Sequence, residues 1–401
     1  MTLPVNQPIS QSASQRIVVR RVASGKDKSR FIDFPYRHYA DHPVWVAPLR
    51  MDQAKVLNPK KNPFFEHGEI ELFLAENERG DTVGRVAAIR NGMHLQKYDD
   101  GNGFFGFFEC AEDYGVAEAL LDAATAWLRA RGLTGVRGPT SPSMNDTSGL
   151  LVEGFDREPA ILMPYNPPYY VDFLERYGFE RAMTMWAYYV HEAYVHKDKL
   201  RRGAEVVLRR NPGLRLRTLD TGRFWDDAAA VLRIYNEAWS SNWGHVPMTE
   251  REFEHLAKDL RKVIEPELVF LLEKEGDPVA FSISIPNLNQ ALRHVPDGRL
   301  FPLGLPTLLA RAKLGGVYEI RLPLLGVLPE FHGRGFDAVL IDATIQDGLA
   351  RGYDACEMSW VLDVNAPLVN ALGKLGAVRD KEYAMMEMSI GGLEDRGTGG
   401  L

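Results

Sequence analysis

The stretch LPEFHGRGFDAVLIDA, residues 328–343, places two glycines and a basic patch directly before a run of helix-forming residues. The preceding segment, residues 317–327, is rich in β-branched and aliphatic residues and predicts a buried strand. After the glycines, apolar residues recur at helical spacing, at Ala338, Ile341, Ile345 and Leu349. The predicted local order is therefore strand, glycine loop and helix.

Such a loop can hold an anion at the start of the helix. The first N–H groups of a helix lack acceptors and the helix dipole is positive there, while Gly333 and Gly335 keep side chains away. A Rossmann site would need G-x-G-x-x-G with an acidic residue about 20 positions later, and a P-loop would need G-K-[ST]. Neither pattern is present. The alternative is a turn that merely joins strand to helix.

The loop resembles motif A of the GCN5-related N-acetyltransferase (GNAT) superfamily, [QR]-x-x-G-x-[GA], which binds the pyrophosphate of coenzyme A in that family. His332 stands where the family usually has Gln or Arg, and Asp337 replaces the last small residue. A carboxylate beside a pyrophosphate repels it, unless Asp337 turns inward as a helix cap and the phosphates bind to the N–H groups of residues 333–336.

A second segment, VNAPLVNALGKLGAV at 364–378, resembles motif B of the same family, in which Asn365, Leu372 and Gly376 match. Leu372 stands where the family often has a tyrosine that protonates the departing thiolate. The resemblance implies acyl-CoA as a co-substrate, with no permanently bound cofactor, and no metal-ligand spacing occurs. The implied acyl-CoA site comprises Leu325, Val327, His332, Gly333, Arg334, Gly335, Phe336, Asp337 and Asn365.

Length and composition limit the function classes. The 401 residues exceed one ordinary domain. A formal charge of −7 argues against a general nucleic-acid binder. The start, MTLPVNQPISQSASQ, lacks the pattern of a signal peptide, and no run of about 18 apolar residues occurs, so we expect a cytoplasmic protein. Composition predicts disorder at 1–15 and 391–401.

The chain contains an internal repeat. The helix-forming segments align without a gap at a shift of 220 residues, and two other pairs of segments follow in the same order. The strand–turn–strand pair contains a Gly-Asp turn in both copies. The pairs are 70–91 with 267–287, 115–132 with 335–352, and 166–179 with 365–378.

The repeat predicts an α/β protein with two tandem GNAT-like domains, each a mixed, mostly antiparallel central sheet flanked by helices. The first domain is expected at 16–195, a linker at 196–204 and the second domain at 205–390. In the first copy, CAEDYGVAEA at 110–119 has acidic residues where the glycines and basic residues of the loop should stand, which disfavours an anion. We therefore expect the first domain to be degenerate and the second to hold acyl-CoA.

Each copy carries its own elaboration. The first has an insertion at 138–170, dense in Asn, Asp, Ser, Gly and Pro, which indicates either a binding loop or an ordinary surface loop. The second has a basic amphipathic stretch at 294–316, which predicts contact with a membrane or a lipid chain, or simple packing on the domain. The candidate acceptor-binding residues are Asn145, Asp146, Tyr165 and Trp243.

Transfer of an acyl group from a thioester to an amine needs positioning, a polarised carbonyl and an unprotonated amine. An aliphatic amine has a pKa of about 10, so a base must take its proton. His245, in a Trp- and Asn-rich loop, and Glu319, at the start of a predicted strand, are the candidates. Each has a structural alternative, since a lone histidine is usually structural and Glu319 could pair with a neighbour.

The whole chain resembles a group of bacterial tandem acyltransferases, the bacterial ceramide synthase-like group. The segments that carry this resemblance are 145–170, 236–253 and 328–340. It implies a long-chain acyl-CoA donor and the amine of a sphingoid base as acceptor. Peripheral contact with the inner membrane is an expectation from the basic amphipathic stretch. Two alternatives stay open, an acetyltransferase for a small amine or protein and a non-catalytic acyl-CoA-binding protein. Acyl length, acceptor and oligomeric state are left open.

Overall fold

The structure, a computed structural model, describes residues 16–391, so the predictions for 1–15 and for nearly all of the tail lie outside the described residues. The strands are β1 (Val18–Arg21), β2 (Gly68–Glu76), β3 (Thr82–Asn91), β4 (Asn102–Cys110), β5 (Gly135–Gly138), β6 (Thr140–Ser141), β7 (Thr147–Ser148), β8 (Leu150–Glu153), β9 (Glu180–His191), β10 (Leu214–Thr218), β11 (Val269–Lys274), β12 (Asp277–Pro286), β13 (Glu319–Val327), β14 (Ala355–Leu362) and β15 (Val378–Ser389).

The α-helices lie between these strands. They are α1 (Gly25–His38), α2 (Arg50–Val56), α3 (Gly92–Tyr98), α4 (Tyr114–Arg129), α5 (Tyr169–Tyr177), α6 (Lys197–Arg210), α7 (Phe224–Ala238), α8 (Glu250–Leu260), α9 (Asn289–Leu292), α10 (Gly304–Lys313), α11 (Phe336–Ala350) and α12 (Ala366–Leu375). Among residues 16–391, none of these helices combines the length and the apolar character needed to cross a membrane.

One continuous sheet runs through both halves of the chain. Its strand order is β1-β2-β3-β4-β5-β15-β9-β14-β13-β12-β11-β10, with β8 attached to β15. The pairs β4–β5 and β13–β14 are parallel and the other neighbours are antiparallel. The predicted fold class, a mixed and mostly antiparallel sheet flanked by helices, is confirmed.

The last strands of the two halves are exchanged. β9 pairs with β14 of the second half, β15 pairs with β5 of the first half, and β9 and β15 pair with each other at the centre. Equivalent strands therefore follow in the same order from either edge of the sheet. The boundaries 16–195, 196–204 and 205–390 stay a prediction. Most of the expected linker belongs to α6, which packs on α11.

Local sequence explains why the repeated helices form. In α4, Val116, Leu120, Leu121 and Leu128 recur on one face and are buried against the sheet. Each such leucine contributes about 1.5–3 kcal/mol of burial energy. The next helix of each half, α5 and α12, ends at a glycine in the left-handed region, because a side chain there would be strained.

Candidate active site

Strands β13 and β14 separate towards their carboxyl ends. They pair from Glu319–Ala355 to Leu322–Met358 and no further, although both strands continue. The pairing of β12 with β13 also shifts register at this point. The result is an open gap between the two strands, which the resemblance to GNAT enzymes implies as the thioester site.

Leu325 and Val327 turn their backbone groups towards this gap. Leu328 donates its N–H to the Val279 carbonyl at 3.0 Å, on the β12 side. The backbone N–H and C=O groups of successive residues in a strand point to opposite sides. Those of Val327 and Leu325, one and three residues before Leu328, therefore point towards β14. The Trp239 indole Nε1–H donates to the Leu325 carbonyl at 3.4 Å, and the His332 ring Nε2 lies 2.9 Å from the Val327 carbonyl.

The glycine loop opens α11 as a bare corner. Gly335 is the N-cap residue with φ +79°, Gly333 has φ +72°, and no side chain among the described residues caps the helix. Within residues 16–391, no hydrogen bond uses the N–H groups of Gly333, Gly335, Phe336, Asp337 and Ala338. The corner is at the surface, since His332, Gly333 and Arg334 are exposed. Five amide donors are therefore available to an anion.

The side chains of this loop point away from the bare corner or to its rim. Phe336 is buried and stacks on Phe331 at 5.4 Å, and the Arg334 guanidinium lies 5.3 Å from the Phe331 ring. Asp337 lies in the first turn of α11 and, within the described residues, does not cap it, because Gly335 already occupies the N-cap position. Capping therefore does not turn its carboxylate away from the phosphate site.

Helix α6 approaches the corner so closely that only glycine fits. A Cβ at Gly335 would lie 2.8 Å from Val207 Cγ2, whereas a Cβ at Gly333 would meet nothing within 4 Å. The absence of a side chain at position 335 is therefore required both by the positive φ and by the packing of α6.

Motif B forms α12, where its residues have structural tasks. The Asn365 side chain accepts the Leu368 N–H at 3.3 Å and caps the helix. Leu372 is buried in the core between α12 and the sheet. The position at which the family often has a tyrosine is thus turned inward, and a direct coenzyme contact of Asn365 stays a prediction.

The insertion of the first half reaches the loop of the second half that carries His245. Asn145 Oδ1 accepts the Tyr235 hydroxyl at 2.6 Å, and Asn145 Nδ2 donates to the Val246 carbonyl at 3.1 Å. The Tyr235 ring lies 4.6 Å from the ring of Trp239, whose indole reaches the strand gap. Two predicted residues from distant segments, Asn145 and His245, therefore meet beside the gap.

His245 is buried and uncharged. Its ring lies 5.4 Å from the Tyr235 ring, and within the described part of the chain its Nε2 has no hydrogen-bond partner. Burial, followed by the charge of Lys97, lowers the pKa of His245 to about 4. A neutral imidazole with an unused nitrogen can accept a proton, although a pKa this low makes it a weak base at neutral pH.

Asp146 combines a crowded environment with access to solvent. Its Oδ2 accepts the Ser143 hydroxyl at 2.7 Å and the Ser143 N–H at 3.2 Å. The surrounding protein removes hydration from the Asp146 carboxylate and so raises its pKa to about 6. The negative charge of Glu252 raises this pKa further, by a smaller amount. The side chain is nevertheless exposed to solvent. A carboxyl with such a pKa can accept a proton near neutral pH.

Glu319 lies far from this cluster. It begins the nine-residue strand β13, whose other end is Val327, so ~25 Å of strand separates it from the glycine loop. Its Oε1 accepts the Tyr189 hydroxyl at 2.8 Å, and Oε2 accepts Asn287 Nδ2 at 3.0 Å. These contacts match the alternative in which Glu319 pairs with neighbouring side chains and has a structural role.

Tyr165 and Trp243 belong to an apolar cluster between the halves that also contains Met144 and Met163. The Tyr165 hydroxyl lies 3.0 Å from His42 Nδ1, and the Arg137 guanidinium lies 4.9 Å from the Trp243 ring. Their role towards an acceptor stays a prediction. Sequence reasoning missed Tyr235 and Trp239. Trp239 does lie in NEAW, at the start of segment 236–253, which carries the family resemblance.

No protein-family model matches the chain. Over 388 residues the chain is 35% identical to bacterial ceramide synthase of Caulobacter vibrioides (strain NA1000 / CB15N), covering 94% of this chain and 99% of that protein. The chain belongs to the bacterial ceramide synthase family. Protein YghO of Escherichia coli (strain K12) is 32% identical over 378 residues, covering 93% of this chain and 95% of that protein.

Solved structures agree with the tandem fold of this bacterial ceramide synthase family member. A tandem GNAT protein from the clavulanic acid biosynthesis pathway matches with a TM-score of 0.55 and 12% identity over 93% of this chain and 98% of its own. A GCN5-related glucosamine N-acetyltransferase region of a fungal multi-domain β-N-acetylglucosaminidase matches with a TM-score of 0.55 and 15% identity, over 94% of this chain and 38% of that one. At such identities these matches establish the fold alone. The family membership identifies the protein as an N-acyltransferase.

Proposed function

We propose that the protein transfers a long acyl chain from acyl-CoA to the amine of a sphingoid base or a similar lipid amine. The observation that carries this proposal is the bare corner before α11, where five amide N–H groups have no acceptor among residues 16–391, next to a strand that has parted from its neighbour. A diphosphate fits such a corner, because the helix dipole and the N–H groups both favour negative charge.

The parted strand supplies the next contacts. In this proposal the pantetheine arm lies along β13 and takes over the Leu325 and Val327 carbonyls, which Trp239 and His332 contact in the free protein. Both side chains would have to turn away on binding. Backbone N–H groups in the gap would then polarise the thioester carbonyl, as acyl transfer requires.

The acceptor amine would approach from the cluster between the halves. Its nitrogen attacks the thioester carbon, the C–N bond forms, the C–S bond breaks, and the sulfur leaves as thiolate. The proton that the amine loses needs a base, and Asp146 fits this task better than His245 or Glu319. It is accessible, its Oδ1 accepts no hydrogen bond in the described residues, and its pKa of about 6 keeps it ionised at neutral pH.

Two apolar regions support a lipid substrate. A narrow cavity of ≈ 40 Å³ lies between α7, α8 and the sheet, and all twelve lining residues are apolar, including Leu324 beside the gap. It holds about one water-sized group, so a long chain would need α7 and α8 to separate. The cluster between the halves contributes methionines and aromatic residues, which adapt to flexible chains.

Thiol release from acetyl-CoA and palmitoyl-CoA, with and without a sphingoid amine, tests the proposal. We expect turnover with palmitoyl-CoA and amine, and a selective loss of this turnover in Ala257→Phe, which fills the apolar cavity beside α8. Preference for acetyl-CoA in the wild-type protein would favour the small-amine acetyltransferase. Binding of acyl-CoA without turnover of any amine would favour the non-catalytic alternative.

The same assay run against pH tests the base. A carboxylate acts as a base only when ionised, so kcat/KM should rise as pH increases through about 6, the pKa of Asp146. Asp146→Asn should lower the rate on the order of 100-fold and remove this limb. Retention of the limb in Asp146→Asn, with its loss in His245→Gln, would transfer the role to His245.

We also propose that the protein works in the cytoplasm, at the surface of the inner membrane, where a lipid amine is available.

A further inference from the structure

We propose that the region around α10 is a docking surface for bilayers that contain anionic phospholipids. None of the α10 residues is buried. The chain on either side of the helix exposes large apolar side chains, with Phe301 exposed by 74%, Leu303 by 73% and Leu314 by 83%. Side chains exposed to this extent in one segment differ from the scattered apolar residues of an ordinary surface.

Helix α2 of the first half adds to the same surface. The Arg50 N–H donates to the Gly298 carbonyl at 3.0 Å, and Arg50 Nε donates to the Asp297 carbonyl at 2.6 Å. These bonds hold the start of α2 against the segment that leads into α10. Met51, the next residue of α2, is 60% exposed. We define the docking surface as Met51, Phe301, Leu303, Leu309 and Leu314 with the basic residues beside them.

The segment of this surface that lies in the second half is basic, although the chain as a whole is acidic. Residues 298–318 contain Arg299, Arg311 and Lys313 and no acidic residue, whereas the chain carries a formal charge of −7. A basic segment with protruding apolar side chains is the combination that binds anionic membrane surfaces.

An arginine-lined cavity lies beside the apolar residues. Its volume is ≈ 310 Å³, and Arg30, Asp33, Arg37, Arg50 and Arg299 line it. Arg50 pairs with Asp33, and Arg30 pairs with Glu76. The guanidinium groups of Arg37 and Arg299 have no ion-pair or hydrogen-bond acceptor in the described part of the chain, and both residues are exposed. Two free guanidinium groups can bind a lipid phosphate.

Shape favours a bilayer over a protein partner. Phe301, Leu303 and Leu314 protrude, and the interfacial region of a bilayer accepts protruding side chains without a matching pocket. A protein partner would need concave pockets that fit them, together with an acidic rim. We therefore assign the surface to the lipid, and a second copy of the chain is an outcome that the test must detect.

The position of the surface suits delivery of a lipid acceptor, a point that rests on the proposed function. The segment from α9 to α10 lies between β12 and β13, so it leads directly into the strand that borders the gap. At its base, Asn287 Oδ1 accepts the Ile161 N–H and Asn289 Nδ2 donates to the Pro159 carbonyl, both at 2.9 Å. The segment that carries the docking surface thus contacts residues 159–161 of the insertion of the first half.

Vesicle flotation tests the docking surface independently of catalysis. The full chain should bind phosphatidylcholine vesicles that contain phosphatidylglycerol more tightly than pure phosphatidylcholine vesicles, with an affinity that falls as salt rises. Phe301→Asp/Leu314→Asp should weaken this binding on the order of tenfold or more, because charged side chains resist insertion. Arg37→Glu/Arg299→Glu should remove the preference for the anionic lipid.

Matched controls alter exposed residues elsewhere. Trp225→Asp changes an apolar residue of α7, and Lys199→Glu/Arg202→Glu changes two basic residues of α6. Both controls should bind vesicles like the wild type, and thiol release from soluble acyl-CoA should be equal in all variants.

Equal vesicle binding by control and docking variants would overturn the proposal. So would a dimer that Phe301→Asp/Leu314→Asp dissolves, or competition by inorganic phosphate that abolishes the lipid preference entirely. Vesicle binding without turnover would leave docking intact and refute only the proposed function.

Discussion

The loops before α4 and α11 occupy equivalent places in the two halves, but their amide groups meet different neighbours. Before α4, Asp113 is the N-cap residue, and its Oδ1 accepts the Gly115 N–H at 2.9 Å. Before α11, Gly335 is the N-cap residue, and no side chain in the described part of the chain bonds to the N–H groups. The first helix start is neutralised by its own carboxylate, whereas the second is left for an external anion.

The strands that lead into these loops, β4 and β13, also differ in how far side chains bond to their backbone groups. β4 parts from β5 after Phe104–Arg137, as β13 parts from β14. In the first half the gap is filled, because the Tyr170 hydroxyl accepts the Cys110 N–H at 2.7 Å and the Tyr169 hydroxyl donates to the Cys110 carbonyl at 2.9 Å. In the second half, the Leu325 and Val327 carbonyls are hydrogen-bonded, among the described residues, only to the side chains of Trp239 and His332, and His332 is exposed. One copy of a duplicated fold can thus lose a binding site when its own side chains hydrogen-bond to the backbone groups that a ligand would otherwise contact.

The largest expected effect follows from placing a side chain in the bare corner before α11. Gly335→Val puts a side chain against Val207 and forces a β-branched residue into the left-handed region. Loss of two amide–phosphate bonds at about 1.5–3 kcal/mol each should lower the affinity for CoA on the order of 100-fold or more. Titration calorimetry with CoA measures this change.

The matched control is Gly115→Val in the first half, where φ is not positive and the amide is already capped. Its CoA affinity should equal that of the wild type. If Gly335→Val also bound CoA normally, the two corners would not differ in the proposed way.

A smaller effect is expected when only charge is copied from one corner to the other. Gly333 is equivalent to Asp113 at the repeat shift, and a Cβ there meets nothing within 4 Å. Gly333→Asp should weaken CoA binding about tenfold through repulsion of the phosphates, and more so at low salt. Gly333→Asn has nearly the same shape, tolerates positive φ and carries no charge, so its affinity should stay near that of the wild type. Equal losses in both variants would point to backbone strain instead of charge.

The repeat and the glycine loop could be predicted because their signals are local. Gly335, the helical spacing after it and the Gly-Asp turns lie within short segments, and short-range physics sets their structure. The exchange of β9 and β15 could not be predicted, because both strands carry similar patterns and the choice of neighbour depends on the whole sheet.

The candidate site shows the same division. Asn145 and His245 were found as polar residues in unusual loops, and they do meet beside the gap through Tyr235. Glu319 was chosen for its place on a strand, but it lies at the start of β13, and the gap opens only after Leu322. The high pKa of Asp146 also depends on packing between distant segments, which no local pattern encodes.

The smallest expected effect concerns the capped corner. Asp113→Ala removes the acceptor of the Gly115 N–H, so the free energy of unfolding should fall by about 1 kcal/mol, the usual cost of losing an N-cap. Urea denaturation measures this change. The variant should gain no CoA site, because Tyr169 and Tyr170 still occupy the strand end next to the helix. Titration should therefore give one CoA per chain, as for the wild type. A second bound CoA in Asp113→Ala would mean that one carboxylate alone had silenced the first half, and that the tyrosines contribute little.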